Sequence, residues 1–165
     1  MLIHKICLIG SFGVGKTSLV RRFVTSMYSD RYLTTVGVRV DKKELRVGDE
    51  DVTLVIWDLA GEEDPSQISL AHLRGMSGYL LVADGTRERT FAAALRLQAF
   101  IEAEHGKRPF LFLLNKGDLK DAWAIAESEV AALRAKGWPV LETSAKDGTG
   151  VEAAFHELAA QLLVD

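Results

Sequence analysis

The chain has 165 residues, 48% of them hydrophobic, which suits one core covered on both faces of a sheet and leaves no room for a second domain. A formal charge of -3 argues against nucleic acid as a main partner, since binding a phosphate backbone wants a basic face. A single cysteine excludes a disulfide framework and fits a reducing compartment, and the continuous apolar runs are too short to cross a membrane.

The first predicted strand, Ile3 to Ile9, has Cys7 inside it as a core residue and leads into Gly10-Ser-Phe-Gly-Val-Gly-Lys-Thr17. This is the pattern G-x-x-x-x-G-K-[ST], followed as it should be by a helical run, Thr17 to Val24. Glycines 10, 13 and 15 let the backbone bend so that successive N–H groups turn inward around phosphate oxygens, and the helix N-terminus adds partial positive charge. The cradle comprises Gly13, Val14, Gly15, Lys16, Thr17 and Ser18. Lys16 reaches the β- and γ-phosphates, and the Thr17 hydroxyl coordinates Mg²⁺.

The stretches Val36 to Val47 and Asp51 to Asp58 are joined by Gly48-Asp-Glu-Asp51. With no room for a crossover helix, they form an antiparallel hairpin at one sheet edge. Asp58 stands at the tip of the second strand, where a poorly solvated carboxylate needs a cation or several donors. Magnesium is the partner that fits beside a phosphate loop; a helix N-cap is the alternative. Gly61 leaves its amide free to approach a terminal phosphate, and the segment beyond it is polar and interrupted by Pro65.

Two continuous apolar runs, Tyr79 to Ala83 and Phe110 to Leu114, read as central parallel strands. Between them Phe91, Ala94, Leu97 and Ile101 share a helical face. The strand Pro109 to Leu114 ends in Asn115-Lys-Gly-Asp118, an ordinary turn if it stood alone. A later short strand, Val140 to Glu142, ends in Thr143-Ser-Ala-Lys146. Both loops lie at carboxyl ends of strands, the edge where open α/β sheets bind ligands. Asp118 is the candidate to accept the paired N1–H and N2–H₂ donors of a guanine, and an adenine would leave that carboxylate unpaired at a cost of about 1 to 3 kcal/mol or more. Asn115 ties loops together, Lys116 and Lys146 lay their stems on the base faces, and within Ser144-Ala145-Lys146 the Ala145 amide donates to O6. An adenine-dependent phosphoryl-transfer enzyme fits these loops poorly. The final helix buries Val151, Phe155, Leu158 and Leu162, and Thr149 with Glu152 reads as its capping box. His4, His72, His105 and His156 show no metal-ligand spacing.

Together these segments resemble the Ras superfamily of small GTPases, over essentially the whole chain. Val55-Ile-Trp-Asp-Leu-Ala-Gly-Glu-Glu63 and Tyr32-Leu-Thr-Thr-Val-Gly37 look most like the Rab branch. The resemblance implies one Ras-like G domain over residues 1–165, an α/β P-loop NTPase fold with a six-stranded, mostly parallel sheet, one antiparallel edge hairpin and five flanking helices. It implies a switch that binds GTP or GDP with Mg²⁺ and hydrolyses GTP slowly, with Thr35 as a further magnesium ligand, Tyr28 beside the base and Gly61 as a γ-phosphate donor. Effectors, an exchange factor or an activating protein would engage Tyr32 to Gly37 and Gly61 to Arg74. Loss of the γ-phosphate would release Thr35 and Gly61 together. Lys16, Thr35, Gly61 and Glu62 form the catalytic set.

Two departures from the family pattern stand beside these matches. Glu62 occupies the position of the catalytic glutamine, and Phe12 the place of a small phosphate-loop residue. Phe12 either crowds an incoming arginine or packs against the second switch. These changes admit a second reading, a GTP-binding scaffold with negligible hydrolysis. Arg31 is either an arginine acting in cis or a solvated switch residue. The ending Leu-Leu-Val-Asp165 offers no prenylation cysteine, no myristoylation glycine follows Met1, and no signal peptide precedes the first strand. The expectation is a cytoplasmic protein without a direct lipid anchor.

Overall fold

The structure is a computed structural model that describes residues 2–24 and 38–164. Strand β1 (Leu2–Gly10) leads into helix α1 (Lys16–Val24), and β2 (Arg39–Val47) folds back on β3 (Glu50–Asp58). The one-turn helix α2 (Leu70–Leu73), strand β4 (Gly78–Asp84) and the long helix α3 (Glu88–His105) follow. Strand β5 (Phe110–Asn115), helix α4 (Glu127–Ala135), strand β6 (Val140–Glu142) and helix α5 (Val151–Leu162) complete the order. The six strands lie in the order β2-β3-β1-β4-β5-β6. Every neighbouring pair is parallel except β2 with β3, the expected edge hairpin.

The alternation of strand side chains divides the core in two. Ile6 and Leu8 of β1, Leu80 and Val82 of β4, and Leu111 and Leu113 of β5 pack under α1 and α5. Cys7 and Ile9, Tyr79, Leu81 and Ala83, Phe112 and Leu114 pack under α3 and α4. Because both faces are covered, the central strands read as unbroken apolar runs rather than as alternation. The helical faces fall where their spacing puts them: Phe91, Ala94, Leu97 and Ile101 are buried, as are Val151, Phe155, Leu158 and Leu162. Phe23 of α1 stacks on Phe155 of α5 with ring centroids 4.0 Å apart, which locks the helix behind the phosphate loop to the C-terminal helix. Burial pushes the Cys7 thiol up to about 12, as befits a core residue rather than a reactive one.

The expected capping box of α5 does not form. The cap is Gly150, at φ 73, with no side-chain hydrogen bond. Thr149 is used by the preceding loop: its N–H donates to Asp147 Oδ1 at 2.9 Å and its carbonyl accepts from the Ser144 N–H at 2.9 Å. A Cβ at position 150 would stand 2.5 Å from the Glu142 carbonyl, so the chain passes β6 too closely for a side chain there. Glu152 faces His156 at 3.4 Å instead of reaching back to the cap. Gly150→Ala is therefore expected to destabilise the protein by more than about 1 kcal/mol, and Thr149→Ala by no more than about 0.5 kcal/mol. Urea unfolding of the two variants checks both; equal losses would restore the capping box.

Candidate functional site

The carboxyl ends of β1, β3, β5 and β6 bring together the loops singled out in the sequence. After Gly10 the chain turns through Ser11 to Gly15 and enters α1 at Lys16. Gly15 takes φ 101, and a side chain on it would collide with the Asn115 amide. Lys16 is 6% exposed, and its ammonium donates to the Gly10 and Ser11 carbonyls, both at 3.3 Å. Thr17 donates its hydroxyl hydrogen to Asp58 Oδ2 at 2.5 Å. Asp58, 4% exposed, thus faces the start of α1 rather than capping a helix. Around these groups lies a cavity of about 590 Å³, lined also by Phe12, Gly13, Ser18, Arg39, Gly61 and Lys116.

Charge and burial oppose each other at this floor. Burial pushes the Asp58 carboxyl above its ordinary value, and the Thr17 hydrogen bond with the Lys16 and Arg39 charges pulls it back only in part. Burial also lowers the Lys16 ammonium, against the charges of Asp58 and Glu62. Gly61 presses on the phosphate loop so closely that a Cβ would strike the Phe12 backbone, and the Glu62 N–H donates to the Gly10 carbonyl at 2.9 Å. Glu62 also lines a separate cavity of about 120 Å³ with Gln67, Ile68, Ser69 and His72, while its charge still acts on Lys16. The Phe12 ring is 82% exposed, so it stands at the cavity mouth instead of packing on the segment from Gly61 to Arg74.

The base-side loops are tied to one another. Asn115 donates through Nδ2 to the Val14 carbonyl at 2.9 Å and accepts through Oδ1 from the Thr143 hydroxyl at 3.1 Å. The Gly117 N–H donates to the Thr143 carbonyl, and the Ser144 hydroxyl donates to Asp118 Oδ1 at 2.7 Å. Ser144 therefore positions the carboxylate expected to read the base. Ala145 is half-buried and Lys146 exposed on the same loop. Lys116 adopts a left-handed backbone, φ 68 and ψ 36, with its ammonium 2.8 Å from Asp84 Oδ2. Thr35, Tyr28, Arg31 and the segment Tyr32 to Gly37 lie outside the described residues.

Residues 5–164 match the Ras family. The chain belongs to that family. It is 35% identical over 158 residues to the Ras-related protein SEC4 of Saccharomyces cerevisiae, covering 95% of this chain and 74% of that protein. It is 36% identical over 163 residues to the Ras-related protein RABA2d of Arabidopsis thaliana, covering 97% and 75%. With the Ras-related protein Rab-7a of Dictyostelium discoideum it shares 36% identity over 165 residues, covering 96% and 81%. The match makes it a Rab-like small GTPase of the Ras superfamily, a guanine-nucleotide switch built on the P-loop sheet described above.

Three groups at the Ras-family site carried no motif in the sequence. Arg39 opens β2 opposite Asp58 in the hairpin register and lines the large cavity. Asp84 ends β4 fully buried, and Arg87 donates to the Phe12 carbonyl at 2.9 Å. Arg39 was legible in principle, since pairing the predicted hairpin places it beside the strand-end carboxylate. The other two depend on a turn geometry that periodicity does not encode.

Because the folded-state pKa of Asp58 is raised, the native chain holds that proton more tightly than the unfolded chain does. The stability it contributes is present below the unfolded pKa and lost as pH rises through the folded one. In nucleotide-free, metal-free protein, Asp58→Asn is expected to be more stable than the parent at neutral pH by about 1 kcal/mol. The gap should narrow on acidification. Thermal unfolding in chelator across a pH series tests this; a gap that widens as pH falls would contradict it.

Proposed function

We propose that this small GTPase holds GTP or GDP together with Mg²⁺ at the carboxyl edge of its sheet and hydrolyses GTP slowly. The observation that carries the reading is the Thr17–Asp58 oxygen pair beside buried Lys16, on a cavity whose floor is joined to the base loops by Asn115. The donor set suits magnesium. It is a hard cation that takes one or two carboxylates, phosphate oxygens and waters, and among the described residues no cluster of three or more His, Cys, Asp or Glu offers a protein-only cage. When bound, it would neutralise charge on the phosphates. Thr17 and Asp58, with Thr35, would hold it.

The chain's own groups then divide the work. Lys16, now turned onto two carbonyls, would exchange those contacts for the β- and γ-phosphates. The inward amides of Gly13, Val14 and Gly15, with Ser18 behind them, would cradle the phosphates. Asp118, steadied by Ser144, would accept the two guanine donors, while Lys116 and Lys146 cover the base faces, Ala145 donates to its oxygen and Tyr28 lies beside it. Gly61 would donate to the γ-phosphate. An ionised Glu62 presents acceptors only where a glutamine offers one acceptor and one donor, so it orients an attacking water poorly. The same departure, with Phe12 at the cavity mouth, supports the second reading, a GTP-bound scaffold with negligible turnover. Effectors would dock on Tyr32 to Gly37 and Gly61 to Arg74, in the cytoplasm.

Mass spectrometry of nucleotide released from the purified protein tests the binding step, with guanine nucleotides expected and adenine nucleotides contradicting the role of Asp118. Asp118→Asn is expected to weaken GTP binding and favour xanthosine triphosphate, whose C2 oxygen accepts from the new amide. In single-turnover assays the parent should hydrolyse GTP no faster than about 10⁻⁴ s⁻¹, the scale of unassisted Ras-type hydrolysis. Glu62→Gln should be faster. A fast parent that slows on Glu62→Gln would make Glu62 catalytic in its own right, and a parent and variant both without turnover would favour the scaffold.

A further inference from the structure

The turn between β4 and α3 holds a buried carboxylate that the nucleotide reading leaves unused. Asp84 has no solvent exposure, and its two oxygens serve different segments. Oδ1 accepts from the Thr86 N–H at 2.9 Å and from the Thr86 hydroxyl at 2.7 Å, while the Asp84 N–H donates to Thr90 Oγ1 at 2.8 Å. Those bonds shape the local turn. Oδ2 takes no hydrogen bond of good angle and instead faces two cations, the Lys116 ammonium at 2.8 Å and Arg87 Nε at 3.6 Å.

Each cation leads to a different part of the site. Lys116 belongs to the base loop and is the non-glycine residue with positive φ among those described, a backbone conformation that is costly for a lysine. Its long stem has many rotamers, and an ion pair with a buried oxygen selects one direction. Arg87 reaches the other way: Nη2 donates to the Phe12 carbonyl at 2.9 Å, and Nη1 lies 3.4 Å from where a Gly13 Cβ would stand. One carboxylate oxygen thus bridges the base loop and the apex of the phosphate loop. Burial pushes the Asp84 carboxyl up, but the close Lys116 ammonium and the Thr86 hydrogen bonds outweigh it and hold the group below its ordinary value.

We infer that Asp84 is a positioning residue for nucleotide retention, its Oδ2 fixing the Lys116 stem for the base and, through Arg87, the Phe12–Gly13 backbone for the phosphates. The inference rests on the guanine-nucleotide reading of the site. Asp84→Asn separates the two oxygens. The amide keeps an acceptor for Thr86 and turns a donor toward Lys116 and Arg87, so the turn survives and the bridge does not.

The test is dissociation of fluorescently labelled GDP from the full chain in magnesium buffer, chased with excess GDP. Asp84→Asn should release it about ten- to hundredfold faster, the factor expected for losing hydrogen bonds to a charged group, with thermal unfolding of the nucleotide-free protein little changed. A double-mutant cycle with Lys116→Met distinguishes positioning from a merely structural role: the combined factor should fall well below the product of the single factors. Parental GDP release from a folded Asp84→Asn, or factors that multiply, would overturn the proposal. Should Asp84→Asn fail to fold, Arg87→Gln carries the test. It should release GDP about three- to tenfold faster, and a parental rate there would overturn the proposal as well. A parent chain that retains no labelled GDP marks failure of the underlying site reading, a result distinct from a slow parent with an equally slow variant.

Discussion

The Asn115 side chain closes the ring of loops on which the site depends. It is 2% exposed and joins residues 14, 115 and 143 through two hydrogen bonds, one donated to the Val14 carbonyl and one accepted from the Thr143 hydroxyl. Losing either partner would leave a buried polar group unpaired, at about 1 to 3 kcal/mol. Gly15 lacks a side chain because the Asn115 amide occupies that space. The loops for phosphate and for base are therefore tied through Asn115, so a shift of either one breaks a buried hydrogen bond.

Beneath that ring, the same architecture that stabilises the sheet strains its functional edge. Helices cover both faces, so the central strands are apolar to their ends, and the charged groups that terminate them cannot reach bulk water. Lys16 and Asp58 are both held in the direction that disfavours their charge, burial being the leading cause for each. Thr17 and the Gly10 and Ser11 carbonyls supply polar contacts that offset part of this. Such a pocket is an energetic liability when alone and a strong electrostatic environment for an anionic ligand with a cation.

The fold was legible where one physical rule dominated. Short apolar runs such as Phe110 to Leu114 have few other places to go than the middle of a parallel sheet, and the short link at Gly48 permits little but a hairpin. The phosphate loop was legible because its glycines, lysine and threonine each answer a separate steric or electrostatic demand. The start of α5 was not, since Thr149 and Glu152 satisfy the spacing of a capping box while the close passage past Glu142 decides the backbone. Asp84 and Arg87 were invisible for a related reason: their partners, Lys116 and Phe12, lie 32 and 75 residues away, and no local pattern marks either contact. Glu62 was singled out by position alone, and the second cavity it lines, with Gln67, Ile68, Ser69 and His72, is formed by packing that no local pattern encodes.

The β2–β3 hairpin has a bearing on which length changes this chain tolerates. Its register runs unbroken from Val47 opposite Glu50 to Arg39 opposite Asp58. Side chains alternate along β2, and Arg39 and Leu45 share a face, so a residue added or removed between them sets the two on opposite faces and either Arg39 leaves the cavity or Leu45 leaves the core. An insertion at Gly48 and Asp49, confined to the loop, leaves every pair in place. The hairpin tip, although the part of the strands farthest from the nucleotide cavity, is thus where length variation is neutral, and the nine-residue strands behind it act as a ruler whose zero is fixed at Asp58.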